Sequence, residues 1–156
     1  MENLYWNNYY KSEGGVNKPS GFAKYVNINY SKKKFGKIID VGCGNGRDTI
    51  FLAENNIQVI GIDQSNIVIQ KNADKCKEIN NNAQFQVGDF SSINYDELAN
   101  EDFTIYSRFT LHAINYEEED KLFSNLANAK HLKYILIEAR SINDDLYGIG
   151  KQVGKH

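Results

Sequence analysis

A doubly wound α/β fold, a parallel sheet with helices on both faces, is what the sequence predicts. From residue 37 onward, short apolar runs alternate with segments of helical period. The length of 156 residues suits one such domain. A Gly-rich turn, Gly42-Cys43-Gly44-Asn45-Gly46, joins the first strand to the next helix.

Ahead of that pattern, Tyr5, Trp6, Tyr9 and Tyr10 repeat at a spacing of four, as on one face of a short helix that is either a lid or a core element. Pro19 closes this segment, and Ser20 offers an N-cap for a helix carrying Phe22, Ala23, Tyr25 and Val26. The run Lys32-Lys33-Lys34 reads as a solvated turn. Ile38, Ile39 and Val41 form the first strand, with a helix from Arg47 to Asn55. The second strand holds Ile57, Val59, Ile60 and Ile62, and Ser65 opens a helix whose inward face is Ile69, Ala73, Cys76 and Ile79. Phe85 and Val87 alternate with Gln84 and Gln86, a strand with one wet face near a sheet edge. Phe103 and Ile105 mark the fourth strand. The following helix has Glu117, Glu118, Glu119 and Asp120 in its first turn, Leu122, Phe123, Leu126 and Ala127 inward, and Lys130 and Lys133 near its end, a polarity that suits the helix dipole. Tyr134-Ile135-Leu136-Ile137 reads as a fifth strand buried on both faces. The chain divides into a helical segment 1–30, a core 31–141 and a tail 142–156.

Composition narrows the function. Hydrophobic residues at 41%, charged residues at 24% and a mean hydropathy of −0.56 exclude a protein with several membrane spans. A net charge of −2 supplies no field for sequence-independent nucleic-acid binding. Cys43 and Cys76 cannot form a disulfide framework, no secretory signal follows Met1, and no Cys/His cluster has metal-ligand spacing. The expectation is a cytoplasmic protein that handles small molecules, without metal, nucleic acid or membrane.

In doubly wound sheets ligands bind beyond the carboxyl ends of the strands. There the Gly-rich turn lets backbone approach a ligand, and the helix start behind it exposes N–H groups to an anion. A dinucleotide fingerprint needs glycine where Arg47 stands, and a P-loop needs Gly-Lys-Ser/Thr where the chain has Gly46-Arg47-Asp48. Asp63, closing Gly61-Ile62-Asp63, suits the vicinal hydroxyls of a ribose, or else caps the next helix. Asp89, in Gly88-Asp89-Phe90, suits an adenine amino group, or else belongs to a turn.

Taken together, Asp40 to Gly46, Asp63 and Asp89 resemble the three cofactor motifs of class I S-adenosylmethionine-dependent methyltransferases, over roughly residues 20–140. The resemblance implies a Rossmann-like sheet and S-adenosyl-L-methionine as cofactor, with Gly42 and Gly44 under the methionine moiety, Asp63 on the ribose and Asp89 at the adenine. Asp40, Cys43, Asn45, Arg47, Gln64, Phe90 and Ser107 complete the implied cofactor set. Gly44-Asn45-Gly46-Arg47-Asp48 and Tyr106-Ser107-Arg108-Phe109-Thr110-Leu111-His112 are similar to small bacterial methyltransferases related to tellurite-resistance and surface-polysaccharide-modifying enzymes. That family's sheet continues with two more strands, and Ile142 to His156 cannot supply both. The fold therefore reads as lacking the last two strands, with the fifth strand's edge open to a partner such as a second copy.

The acceptor side rests on arginine. Arg47, Arg108 and Arg140 are the chain's arginines, the other basic residues being lysine, and each falls at a strand end. Guanidinium there suits planar, bidentate recognition of an anionic acceptor, unless each arginine pairs with an acid such as Asp48 or Glu138. Arg108 is assigned to acceptor binding and catalysis, and Arg140 and Tyr9 to acceptor binding. His112, four residues beyond Arg108, shares its face if the segment is helical and is then the candidate base; otherwise it is structural. The expected activity is methyl transfer to a small polar or anionic acceptor. A non-catalytic cofactor-binding module is the alternative. An NAD-dependent reductase fits less well, lacking the glycine at 47 and a Tyr-x-x-x-Lys pair.

Overall fold

The computed structural model describes Asn7, Asn8, Lys11 and residues 17–77 and 82–145. Tyr5, Trp6, Tyr9, Tyr10, Ile79 and the tail from Leu146 to His156 lie outside the described residues.

Five strands, β1 (Lys37–Val41), β2 (Val59–Asp63), β3 (Ala83–Val87), β4 (Phe103–Arg108) and β5 (Leu132–Glu138), form one sheet in the order β3-β2-β1-β4-β5. Every pairing is parallel, as crossover connections require. Strand order reverses between β1 and β4, so their carboxyl ends flank the crevice where such sheets take ligands.

Alternation along the strands divides the core in two. Ile38, Val59 and Tyr106 point to one face, packed by Ala23 and Val26 of α1 (Gly21–Lys33) and Leu52 of α2 (Arg47–Glu54). On the same face α3 (Asn66–Lys77) sets Val68 and Ile69 against Cys43 and Phe85. Ile39, Val41, Ile60, Ile62, Phe103 and Ile105 point the other way, against Tyr95 and Ala99 of α4 (Tyr95–Ala99) and Leu122 and Leu126 of α5 (Tyr116–Ala127). This is the doubly wound arrangement the alternation of elements predicts.

The caps also follow the sequence. The Ser20 hydroxyl accepts the Ala23 N–H at the start of α1, and α1 runs through residue 30 without a break. Ser65 does the same for the Val68 N–H, and Asn115 and Glu118 form a reciprocal capping box on α5. Differences lie elsewhere. Tyr25 points outward, Lys130 and Lys133 fall beyond α5, and α4, five residues long, is too short to leave a periodic signal. The expected burial of the fifth strand is corrected. Tyr134, Ile135 and Ile137 are 42, 38 and 40% exposed, because β5 pairs only with β4 and no element follows it among the described residues. No described helix is long and apolar enough to cross a membrane.

A buried polar network joins α1 to the sheet. Both carboxylate oxygens of Asp48 are used: the Ser20 N–H donates to Oδ1 at 2.8 Å, and the Ser20 and Tyr106 hydroxyls each donate to Oδ2 at 2.7 Å. Asp48 is 6% exposed, so removing it strands three donors away from water. Asp48→Ala should cost on the order of 3 kcal/mol or more in chemical denaturation, and Tyr106→Phe only about 1 kcal/mol, because the serine donors keep their acceptor.

Candidate functional site

The turn after β1 is built by left-handed backbone. Gly42, Gly44 and Gly46 have φ of 70, 52 and 72°, where a side chain is strained. A Cβ on Gly42 would lie 2.6 Å from Thr110 Cγ2, and one on Gly46 would lie 2.8 Å from Asn72 Cγ. Three side chains from distant segments hold this backbone. The Gly44 N–H donates to Asp63 Oδ2 at 3.0 Å, Asn72 Nδ2 donates to the Gly44 carbonyl at 2.8 Å, and Thr110 Oγ1 donates to the Val41 carbonyl at 2.7 Å. Asn72 escapes sequence reading because it sits in no recognisable pattern, and Thr110 stands in the run from Tyr106 to His112 without a role of its own; the close approaches of Gly46 to Asn72 and of Gly42 to Thr110 are visible only in space.

The acids at the strand ends differ in their surroundings. Asp40, 3% exposed, lies beneath the turn and accepts a hydrogen bond from Thr49 Oγ1 at 2.5 Å. Burial pushes its carboxyl up to about 7, with the Asp48 and Asp63 charges adding to the rise and the Thr49 bond opposing it. Asp63 is also raised by burial, less so because the Ser65, Gly44 and Gln64 N–H groups stabilise its anion. Burial of Asp89 is outweighed by the hydroxyls of Ser91 and Ser92 and the Ser91 N–H, so it is held below the ordinary carboxylate range.

A carboxylate offers about four acceptor positions. Asp63 receives the Gly44 N–H on Oδ2 and the Ser65 N–H on Oδ1, and the Gln64 N–H also stabilises it, which leaves room for a further donor such as a hydroxyl. Asp89 receives three donors and has room for one. At the end of β4, the Ser107 hydroxyl is buried without a hydrogen-bond partner. The open glycine cradle, the spare acceptor capacity of Asp63 and this orphaned hydroxyl fit a polar adenosyl ligand laid across the strand ends. Gln64 is half-buried beside Asp63. The Cys43 thiol packs under α3, with burial pushing it well above its ordinary value, and the Phe90 ring lies in the core at 5% exposure. The Arg47 N–H approaches Asn45 Oδ1 at 3.4 Å, and the Arg47 guanidinium lies 3.9 Å from Asp48. Ser65 Oγ donates to Asn7 Oδ1 at 2.6 Å, which brings the N-terminal segment to this edge.

The acceptor-side residues gather around Phe109. Arg108 Nε lies 2.5 Å from Glu138 Oε2, an ion pair set by the β4–β5 register but off the hydrogen-bond angle. Arg108 ends a strand, so no helix places His112 on its face; the two meet across the Phe109 ring instead. His112 Nε2 lies 3.2 Å from the Arg140 backbone nitrogen and 3.4 Å from its carbonyl oxygen, so either tautomer finds a partner on the Arg140 backbone. Tyr9 lies outside the described residues. Among the described residues no group of three His, Cys, Asp or Glu side chains could hold a metal ion.

The profile of the family described as "Methyltransferase domain" matches residues 38–131. No curated protein sequence matches the chain. Among solved structures, the CcbJ methyltransferase from Streptomyces caelestis is similar at a TM-score of 0.65 and 15% identity, covering 86% of this chain and 57% of its own. Magnesium protoporphyrin IX methyltransferase from Synechocystis, solved with bound SAH, gives 0.60 and 18%, covering 83% and 69%. A TehB-like SAM-dependent methyltransferase from Corynebacterium glutamicum gives 0.57 and 24%, covering 82% and 64%. These identities establish likeness of fold. The chain spans little more than half the length of the first of these relatives.

Because the Asp40 carboxyl is raised in the fold from an ordinary 3.8 to about 7, the native state holds a proton that the unfolded chain releases between those values. Folding stability should therefore be greater near pH 4 than above pH 7 as far as Asp40 governs it. In urea titrations across that range, Asp40→Asn, which keeps an acceptor for Thr49, should lose this contribution to the slope.

Proposed function

The chain belongs to the methyltransferase-domain family, and we propose that it works as an S-adenosyl-L-methionine-dependent methyltransferase acting on a small polar or anionic acceptor. The observation that carries this reading is Asp63, which braces the Gly-rich turn through the Gly44 N–H yet keeps acceptor capacity at the strand end for a ribose hydroxyl. Two of the similar structures agree with it, one solved with bound SAH and one described as SAM-dependent.

S-adenosylmethionine, when bound, supplies a methyl group activated on a sulfonium. The chain's part is to bind, orient and exclude water, since in-line displacement gains most from positioning. Gly42, Gly44 and Gly46 keep side chains out of the cradle, Asp63 holds the ribose, and Asp89 offers its remaining acceptor position to the adenine amino group. Cys43, Asn45, Arg47, Gln64, Phe90 and Ser107 line the same edge in this reading, with the buried Asp40 carboxyl beneath it. Arg108 and Arg140 serve the acceptor. His112 acts as base through Nε2 only if the Arg140 backbone first releases it. The contact between Ser65 and Asn7 supports a lid formed by the N-terminal segment, and Tyr9 is assigned to acceptor binding in the same reading. A second copy of the chain on the open β5 edge and a cytoplasmic setting belong to the same reading.

A non-catalytic cofactor-binding module is the second reading. Calorimetry should show S-adenosylmethionine binding and no binding of NAD, and methyl transfer to small carboxylates, phosphates and phenols should separate enzyme from module. Asp63→Ala should weaken S-adenosylmethionine binding by about ten-fold or more, the loss of charged hydrogen bonds. Arg108→Lys should raise the acceptor KM while the cofactor Kd stays within about two-fold, because a lysine keeps the charge and loses the planar fork; equal loss of both would remove Arg108 from the acceptor side.

A further inference from the structure

Phe109 has no role of its own in the sequence reading, where it stands only as a member of the run from Tyr106 to His112, yet the acceptor side is organised around it. Its φ is 57°, a left-handed conformation that a bulky residue rarely adopts. Neighbours on both sides impose it: the Phe109 N–H donates to the Glu138 carbonyl at 2.9 Å, and the next residue, Thr110, is tied to the Val41 carbonyl. Strain that the surroundings over-determine, at the carboxyl end of a strand beside the switch point, is typical of functional positions.

The half-buried ring carries two guanidiniums, with Arg108 Cζ 4.3 Å and Arg140 Cζ 5.4 Å from its centroid. The two arginines are not equivalent. Arg108 is neutralised by Glu138, whereas Arg140 makes no ion pair among the described residues, and its backbone is held in place by His112 Nε2. Stacking uses the face of a guanidinium and leaves its N–H groups in the plane available to a carboxylate or phosphate.

We propose that Phe109 is the positioning residue of the acceptor pocket, presenting the Arg140 guanidinium to an oxyanion of the acceptor while Arg108 is held by Glu138. This rests on the methyl-transfer reading and sharpens it, because it gives the direct oxyanion contact to Arg140 and leaves Arg108 to shape the acceptor pocket through Phe109 and Glu138.

The chain has only three arginines, so the arginine Nε–Hε region of a nitrogen-15 spectrum gives three assignable signals. In the full chain saturated with S-adenosylhomocysteine, acetate and inorganic phosphate are titrated separately. The Arg140 signal should move saturably with at least one of them, the preferred ion separating carboxylate from phosphate recognition, and Arg47 should not respond. Phe109→Leu should weaken the Arg140 response about three-fold, with the thermal midpoint and the S-adenosylmethionine Kd unchanged, and Phe109→Tyr should restore it. Should the leucine variant fail to fold, Arg140→Lys is the second test, read on the backbone amide signals of the neighbouring Phe109 and His112, which should shift saturably in the unaltered chain and no longer do so in the variant. Linear drift of all three signals, or a full response in Phe109→Leu, overturns the proposal. A saturable Arg140 response in a chain that binds no S-adenosylmethionine upholds the oxyanion site and defeats the methyl-transfer reading alone.

Discussion

The turn after β1 keeps its shape only because side chains from three other parts of the chain hold its backbone. Left-handed glycines are permissive in both directions, and without braces the segment from Gly42 to Gly46 would sample many conformations. Asp63 fixes the Gly44 N–H, Asn72 fixes the Gly44 carbonyl, and Thr110 fixes the last carbonyl of β1. Those braces come from the end of β2, from α3 and from the loop after β4, so the cradle is correct only when the sheet order and both flanking connections are in place.

Charge is distributed around that cradle by degree of burial. Asp40 and Asp63 lie deep and hold their protons more tightly than free carboxylates, whereas Asp89 sits among serine donors that favour its anion. Asp48, between them in sequence, is fully used by structure: its partners Ser20 and Tyr106 tie α1 and β4 together. Carboxylates thus differ in what they hold: Asp48 ties distant elements together, whereas Asp89 accepts from Ser91 and Ser92 of its own loop.

Much of this was legible in the sequence where chemistry and backbone conformation demand particular residues at fixed spacing. The glycines of the turn, the acids closing β2 and β3, the serine caps and the order of strands and helices fall in that class. What stayed hidden depends on distance in space. Asn72 reads as one more polar residue of an amphipathic helix, yet it is fully buried against the turn. Phe109 reads as an ordinary aromatic until its dihedral angle and its two arginine neighbours are seen. The apolar run of β5 reads as a doubly covered strand because a sequence records hydrophobicity and not what is present to cover it.

The network around Asp48 also bears on the order in which the molecule assembles. Ser20 and Tyr106 are 86 positions apart, and the Tyr106 hydroxyl reaches Asp48 across 58. During synthesis α1 emerges first, yet its capping serine gains its full set of partners only once β4 has been made and inserted beside β1. Loops of that length close slowly, so the N-terminal helix waits on the centre of the sheet, and its docking reports a late event in folding.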